Sequence, residues 1–340
     1  MVTTSAASAS SAARRNAIVR NATIWDNHAC MPLRPGDTSF LPLLEMHRQA
    51  GVSAVTLNVA MDMIPWADTF KVLATMRGWI RAHPQQYVLG DSVAAIKAAK
   101  ASGRMAVLFD IEGAAAVDDL PELADAYYAL GVRWMLIAYN RANRLGSGCQ
   151  VADDTGLTDF GRKVITAMAD VGMLLCCSHT GARTAMEAIE YNPNPTIFSH
   201  SNPSAVYAHR RNISDDLIRA CAARGGVIGL VGFGAFVGDL ADISVQKLAD
   251  HADHLAEMVG SQHIGLGLDY VFDPDEVHDL VPKYPDWFGG ISTTEPLPPM
   301  LGPAQIAPLV DVLLARGWTD ADICGLLGGN WLRVAGQVWK

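Results

Sequence analysis

The sequence predicts an α/β fold of one domain, a (β/α)8 TIM-type barrel. Three observations carry this. The chain has 340 residues with 50% hydrophobic and 18% charged content, enough to bury a large core. Short apolar runs at residues 23–25, 53–59, 105–109, 134–138, 173–177, 196–198, 227–231 and 264–268 alternate with helix-patterned segments, giving eight strand-then-helix units. None of these runs leads into a Gly-x-Gly-x-x-Gly turn, which argues against an open dinucleotide-binding sheet.

Residues 1–21 are rich in Ala, Ser and Thr, carry Arg14, Arg15 and Arg20, and lack the apolar core of a signal peptide. They are expected to form a disordered leader, with residues 22–340 as the barrel domain. The clearest helix spans 158–171: Thr158 can cap it, Phe160, Val164, Met168 and Val171 recur at helical spacing, and Gly172 can end it. Ser214 before 215–224, followed by Gly225-Gly226, repeats that pattern. Residues 273–299, with several prolines and Tyr284, Trp287 and Phe288, read as a long loop over one face of the barrel, and 301–340 return to helix.

The formal charge is −9 and the basic residues are scattered, so neither nucleic acid nor an anionic membrane is an expected partner. No segment offers roughly 18 consecutive apolar residues. The expectation is a soluble, cytoplasmic protein acting on a small molecule. The six cysteines are too sparse and irregular for a disulfide scaffold or a zinc ribbon, so reduced thiols are expected.

Five strand-like runs stop on residues able to bind or serve a metal: Asp26-Asn27-His28, Asp110-Ile111-Glu112, Cys177-Ser178-His179, Ser199-His200 and Gly267-Leu268-Asp269. In a closed barrel such ends converge at the C-terminal face. His28, Glu112, His179 and His200 supply the imidazole and carboxylate mixture that holds divalent cations. Glu112 sits in surroundings too apolar for an unpaired charge. Asp269 is placed to accept a proton from a metal-bound water. The Ser-His pairs lack a Gly-x-Ser-x-Gly elbow, which counts against a serine nucleophile. His209, His251, His254, His263 and His278 read as surface or packing residues.

Taken in order, Asp26-x-His28, Glu112-Gly113, Ser178-His179-Thr180, Ser199-His200-Ser201-Asn202, Arg211-Asn212-Ile213-Ser214, Gly265-Leu266-Gly267-x-Asp269 and Gly328-Gly329-Asn330-x-Leu332-Arg333-Val334 resemble the renal, or membrane, dipeptidase family of metallopeptidases. The resemblance implies two zinc ions bridged by Glu112, with His179 and His200 on the second metal and His28 on the first. It implies a bridging hydroxide as nucleophile, Asp269 as the proton carrier, and Arg211, with Asn212 beside it, holding the carboxylate of a small peptide-like substrate. A homodimer is likewise implied by the resemblance alone.

The chain departs from that pattern at three places. Where family members carry a second carboxylate after the first histidine, this chain has Cys30, either a thiolate ligand or a lost one. The fourth strand ends in Ala138-Tyr139-Asn140 in place of a His-Asn pair, and the Tyr139 hydroxyl is a candidate donor to the developing oxyanion. Cys176 replaces an aspartate and reads as a packing thiol. The leading expectation is zinc-dependent hydrolysis of a dipeptide or dipeptide-like amide. The alternatives are hydrolysis of a lactone, cyclic amide or modified amino acid, or a degenerate barrel that binds a ligand without catalysis.

Overall fold

A computed structural model describes residues 3–288 and 295–340. Its strands are β1 (Ile24–Cys30), β2 (Val52–Met61), β3 (Tyr87–Leu89), β4 (Met105–Glu112), β5 (Val132–Leu136), β6 (Leu174–Cys176), β7 (Thr196–Ile197), β8 (Ile228–Leu230), β9 (Ile264–Leu266) and β10 (Tyr270–Val271). Hydrogen-bonded neighbours run β7-β6-β5-β4-β2-β1-β9-β8, and every pairing is parallel. The ring closes where Phe198, just past β7, bridges to Ile228: its N–H donates to Val227 O at 3.0 Å and its carbonyl accepts from Gly229 N at 2.7 Å. The eight expected strands are therefore the barrel, and helices cover its outside.

Two further strands lie outside that expectation, and register explains both. β3 pairs with the start of β4 (Tyr87↔Met105), whereas β5 joins β4 only from Phe109 onward, so β3 fills the part of that edge which β5 does not reach. β9 pairs with β1 at Asp26↔Leu266, the line breaks over residues 267–269, and β10 resumes it at Ala29↔Tyr270. Asp269 occupies that break. Gly267 must be glycine there, because a Cβ would collide with the Ser199 carbonyl of the neighbouring strand end.

Parallel strands packed on both faces account for the continuous apolar runs in the sequence. All eight residues of β4 are buried, Glu112 included. The helix Asp159–Val171 begins at Thr158, whose side chain accepts from Gly161 N, and ends at Gly172 in the left-handed region (φ 83°). Ser214 caps Asp215–Ala223 in the same manner, accepting from Leu217 N.

The leader is not disordered: Thr3–Asn21 is helical. Its alanine content favours helix, its last turns bury Ile18 in the main core, and Arg14 and Arg15 pair with Asp320 and Asp311 at 2.7 Å. Those two carboxylates belong to the helices Asp320–Cys324 and Ile306–Ala315. The segment lacks an apolar stripe along its length, which is why its sequence reads as unstructured. Over residues 273–299 the chain forms the helix Pro274–Leu280 and turns as far as Phe288. Residues 289–294 of that expected loop lie outside the described residues.

The C-terminal motif seals the barrel floor. Asn330 Nδ2 donates to Ser261 O and Ile264 O, and Trp331 Nε1 donates to Leu266 O at 2.9 Å. Among the described residues, no helix is long and apolar enough to cross a membrane.

Candidate metal centre

The C-terminal strand ends bring the predicted ligands together. Glu112 Oε1, at the end of β4, lies 3.1 Å from His200 Nε2, 3.3 Å from His179 Nε2 and 3.5 Å from His28 Nε2. His179 Nε2 and His200 Nε2 are 3.0 Å apart. On the other side of Glu112, Cys30 Sγ is 3.5 Å from His28 Nε2 and 3.2 Å from Asp269 Oδ1, which is itself 3.4 Å from His28 Nε2. Two overlapping ligand groups result, His28–Glu112–His200 and His28–Cys30–Asp269, sharing one imidazole.

Each histidine is turned by a partner on its other nitrogen. His28 Nδ1 meets Asp110 Oδ2 at 3.1 Å, His179 Nδ1 meets Asn140 Oδ1 at 2.7 Å, and His200 Nδ1 meets Ser199 Oγ at 2.8 Å. Donation from Nδ1 to Asn140 leaves Nε2 of His179 as a lone-pair donor aimed at the shared point, and the same donation to Asp110 would free Nε2 of His28 once a cation displaces its proton. These three partners were not among the expected site residues. Asp110 had a signal, since period-two alternation puts it on the face of Glu112; Asn140 and Ser199 are sequence neighbours of Tyr139 and His200. Deeper in the barrel Asp26 holds buried His47 at 3.2 Å and the Leu268 N–H at 2.8 Å, so it serves the scaffold.

Burial, with help from the Arg211 charge, holds His179 and His200 well below the usual histidine range, so both are neutral imidazoles. His28 differs. Burial opposes its charge, but the Glu112 and Asp110 carboxylates outweigh that and push its pKa up. Burial likewise pushes up the Cys30 thiol, with Asp269 adding to it, and the Tyr139 phenol, which stays protonated.

The turn after Glu112 is fastened by Asp62, whose carboxylate accepts from Ala115 N at 2.9 Å, Tyr139 N at 2.8 Å and Asn143 Nδ2. Burial pushes this carboxyl up to about 6. Gly113, at φ 116°, leaves Asp62 the space a side chain would fill. Among the described residues, four non-glycine residues have positive φ, and three belong to the site: Asn140 (58°), His179 (60°) and Asp269 (58°). Such conformations cost on the order of 1 kcal/mol each and are held only by the surrounding structure.

A cavity of about 440 Å³ opens over the centre, lined by Cys30, Glu112, Tyr139, His179, Arg211 and Asp269 among others. Arg211 is buried; its Nη2 donates to His200 O at 3.2 Å, while Nε and Nη1 have no partner among the described residues. Tyr139 stacks on His179 with ring centroids 4.2 Å apart. Asn212 does not line the cavity; its Nδ2 bonds Tyr207 O and Phe236 O and pins the loop behind Arg211. Cys176 is buried against Ser199 Oγ at 3.1 Å. Of the histidines read as bland, His209 lines the cavity and its Nδ1 accepts from Arg211 N, whereas His251, His254 and His263 bond Val237 O, Asp215 and Gly226 O away from it.

The donor set fits a divalent cation. Glu112 Oε1 is buried with no hydrogen-bond donor, although three imidazole nitrogens surround it. Converging lone pairs and a carboxylate repel one another unless a positive charge lies between them.

Comparison with known proteins agrees with this geometry. The human protein Dipeptidase 3 is 27% identical over 257 residues, 74% of this chain and 48% of that protein, so the chain spans about half the length of this curated relative. An amidohydrolase from Pseudomonas aeruginosa superposes with a TM-score of 0.87 at 25% identity, covering 96% of this chain and 99% of that one. A metallo peptidase from Rhodobacter sphaeroides, solved with a phosphinate mimic of the dipeptide L-Ala-D-Ala, shares the fold with a TM-score of 0.74 at 17% identity over 94% of this chain and 99% of that one. The model of the membrane dipeptidase family, Peptidase family M19, matches residues 12–289. With most of its length matched, the chain belongs to the membrane dipeptidase family of metallopeptidases.

Proposed function

We propose that the protein is a zinc-dependent hydrolase that cleaves the amide bond of a dipeptide or dipeptide-like substrate bearing a free carboxylate. The observation that carries this reading is Arg211: a buried guanidinium with two unpartnered donors, bordering the cavity that also holds the converged Glu112, His179 and His200. A guanidinium fork in that state is matched by a carboxylate. The solved relative with a dipeptide mimic supports the substrate class.

In this reading Glu112, His179 and His200, with His28 and Cys30 beside them, would hold the metal. When bound, the metal supplies Lewis acidity that polarises the scissile carbonyl and makes water acidic enough to react. Asp269, its side chain 13% exposed at the cavity, takes the proton of the attacking water on its carboxylate and returns it to the departing nitrogen as the C–N bond breaks. Tyr139, kept protonated by burial, donates to the oxygen that gains charge. Arg211 fixes the carboxylate end, so the carbonyl is presented in one register.

Arg211→Ala tests the clamp. It should lower kcat/KM by about 2–5 kcal/mol on the best substrate, with metal content unchanged by elemental analysis. An unchanged kcat/KM would remove the carboxylate from the reading.

A further inference from the structure

We infer that the amide cleaved here is that of an N-acylated amino acid: a carboxylate held at Arg211 and, across the scissile bond, a large uncharged apolar acyl group. This rests on the hydrolase reading above and narrows its substrate. The cavity, about 440 Å³, is of the size that encloses drug-sized ligands. A dipeptide of two small residues fills a minor part of it. The apolar part of the wall is built by Met31, Leu33, Val277, Leu280 and Phe288, the last against Tyr139, together with Phe233, which packs on the Phe236 ring beneath Arg211. These come from the chain after β1, the chain after β8, the helix Pro274–Leu280 and the turn that follows it, so three separate parts of the barrel mouth contribute to one apolar surface. Met31, Leu33, Phe233 and Phe288 are each less than 9% exposed, so little of this surface is open to bulk solvent.

Charge decides what type of apolar group this wall accepts. A free dipeptide carries an ammonium on the acyl side, which needs a carboxylate partner once it leaves water. Glu112 and Asp269 already face His28 and the cation positions. Glu276, the carboxylate set into the apolar wall, accepts Leu33 N–H at 2.8 Å, has Arg34 at 3.7 Å, and is pushed up to about 7 by burial. It is thus a weak counter-ion for a second cation. Glu295 lies at the exposed rim. An N-acyl group brings no charge to this wall and buries methylenes, each worth about a fourfold gain in binding. The reaction is an ordinary hydrolysis: water oxygen bonds the acyl carbon, the C–N bond breaks, the nitrogen takes a proton, and a carboxylic acid and an amino acid leave.

The experiment measures kcat/KM of the full-length, zinc-loaded protein on N-acetyl-, N-hexanoyl- and N-decanoyl-L-alanine beside Gly-L-Ala and L-Phe-L-Ala. The expected result is a rise on the order of a hundredfold from acetyl to hexanoyl, four methylenes, with hexanoyl-alanine ahead of both dipeptides. Leu280→Ser, or Val277→Ser should that variant fail to fold, is expected to flatten the chain-length dependence. A flat series with Gly-L-Ala preferred would overturn the inference and leave the hydrolase reading standing. L-Phe-L-Ala as the best substrate would overturn the uncharged acyl group alone. Turnover of neither class by protein shown to contain metal would remove the hydrolase reading together with the inference.

Discussion

The two sides of the metal centre are made of different materials. On one side Glu112, His179 and His200 are almost wholly buried, the two imidazoles are neutral, and Glu112 Oε2 accepts from Asn58 Nδ2 at 2.9 Å. On the other side a single imidazole, His28, is tied to a carboxylate beneath it, and its companions are a half-buried thiol and a carboxylate that reaches the cavity. The first side is a rigid cage of neutral nitrogens around one carboxylate. The second offers groups that exchange protons, one of them exposed to the cavity, which is what the proposed proton carrier requires. The proposed fixed ligands and the proposed proton carrier thus occupy separate walls of one site.

The largest test of that division is Glu112→Ala, because Glu112 lies within 3.5 Å of all three imidazole nitrogens. Loss of several kcal/mol of electrostatic stabilisation should lower kcat/KM by on the order of a thousandfold or more, with elemental analysis showing both positions depleted. Cys30→Ala should act on one side only: metal content falls by one ion per chain, and cobalt-loaded protein loses its thiolate-to-cobalt absorption band. An unchanged band and metal count would mean that Cys30 is not a ligand.

Asp110→Asn is smaller again. It keeps the shape beneath His28 and removes the charge, so metal affinity should fall about 10–100-fold in a chelator competition, confined to the position that His28 serves. A loss at both positions would show that the two sides are not separable. His251→Gln marks the lower end, since His251 bonds Val237 O away from the site. Burial lowers its pKa to about 4 from the ordinary histidine value of 6.5. The folded state therefore binds fewer protons than the unfolded chain between these values, and stability falls as pH drops from 6.5 towards 4, by on the order of 3 kcal/mol in total. The glutamine variant should flatten that slope in thermal melts and leave metal binding unchanged.

The barrel was readable because each parallel strand is buried on both faces and so appears as an apolar run, and because the ligands stop those runs. Glu112 and His200 could be found from that pattern alone. What orients them could not. Asp110 and Asn140 act through contacts across strands that adjacency in sequence does not encode, whereas Ser199 turns the histidine next to it in the chain. The N-terminal helix was misread for a related reason: its stability comes from two ion pairs and a few buried side chains supplied by a segment some 300 residues away. β3 was missed because it is three residues long and completes an edge whose gap is visible only in the register.

The left-handed backbone at Asn140, His179 and Asp269 has a consequence for anyone breeding this protein for robustness. Glycine relaxes that conformation at each position, so a screen that rewards survival of heating and nothing else is drawn to these three codons. Every such winner would lose a side chain that the proposed metal centre uses. Thermostable but silent variants should therefore cluster at strand ends, and a map of where they fall would outline the catalytic ring without a substrate ever being identified.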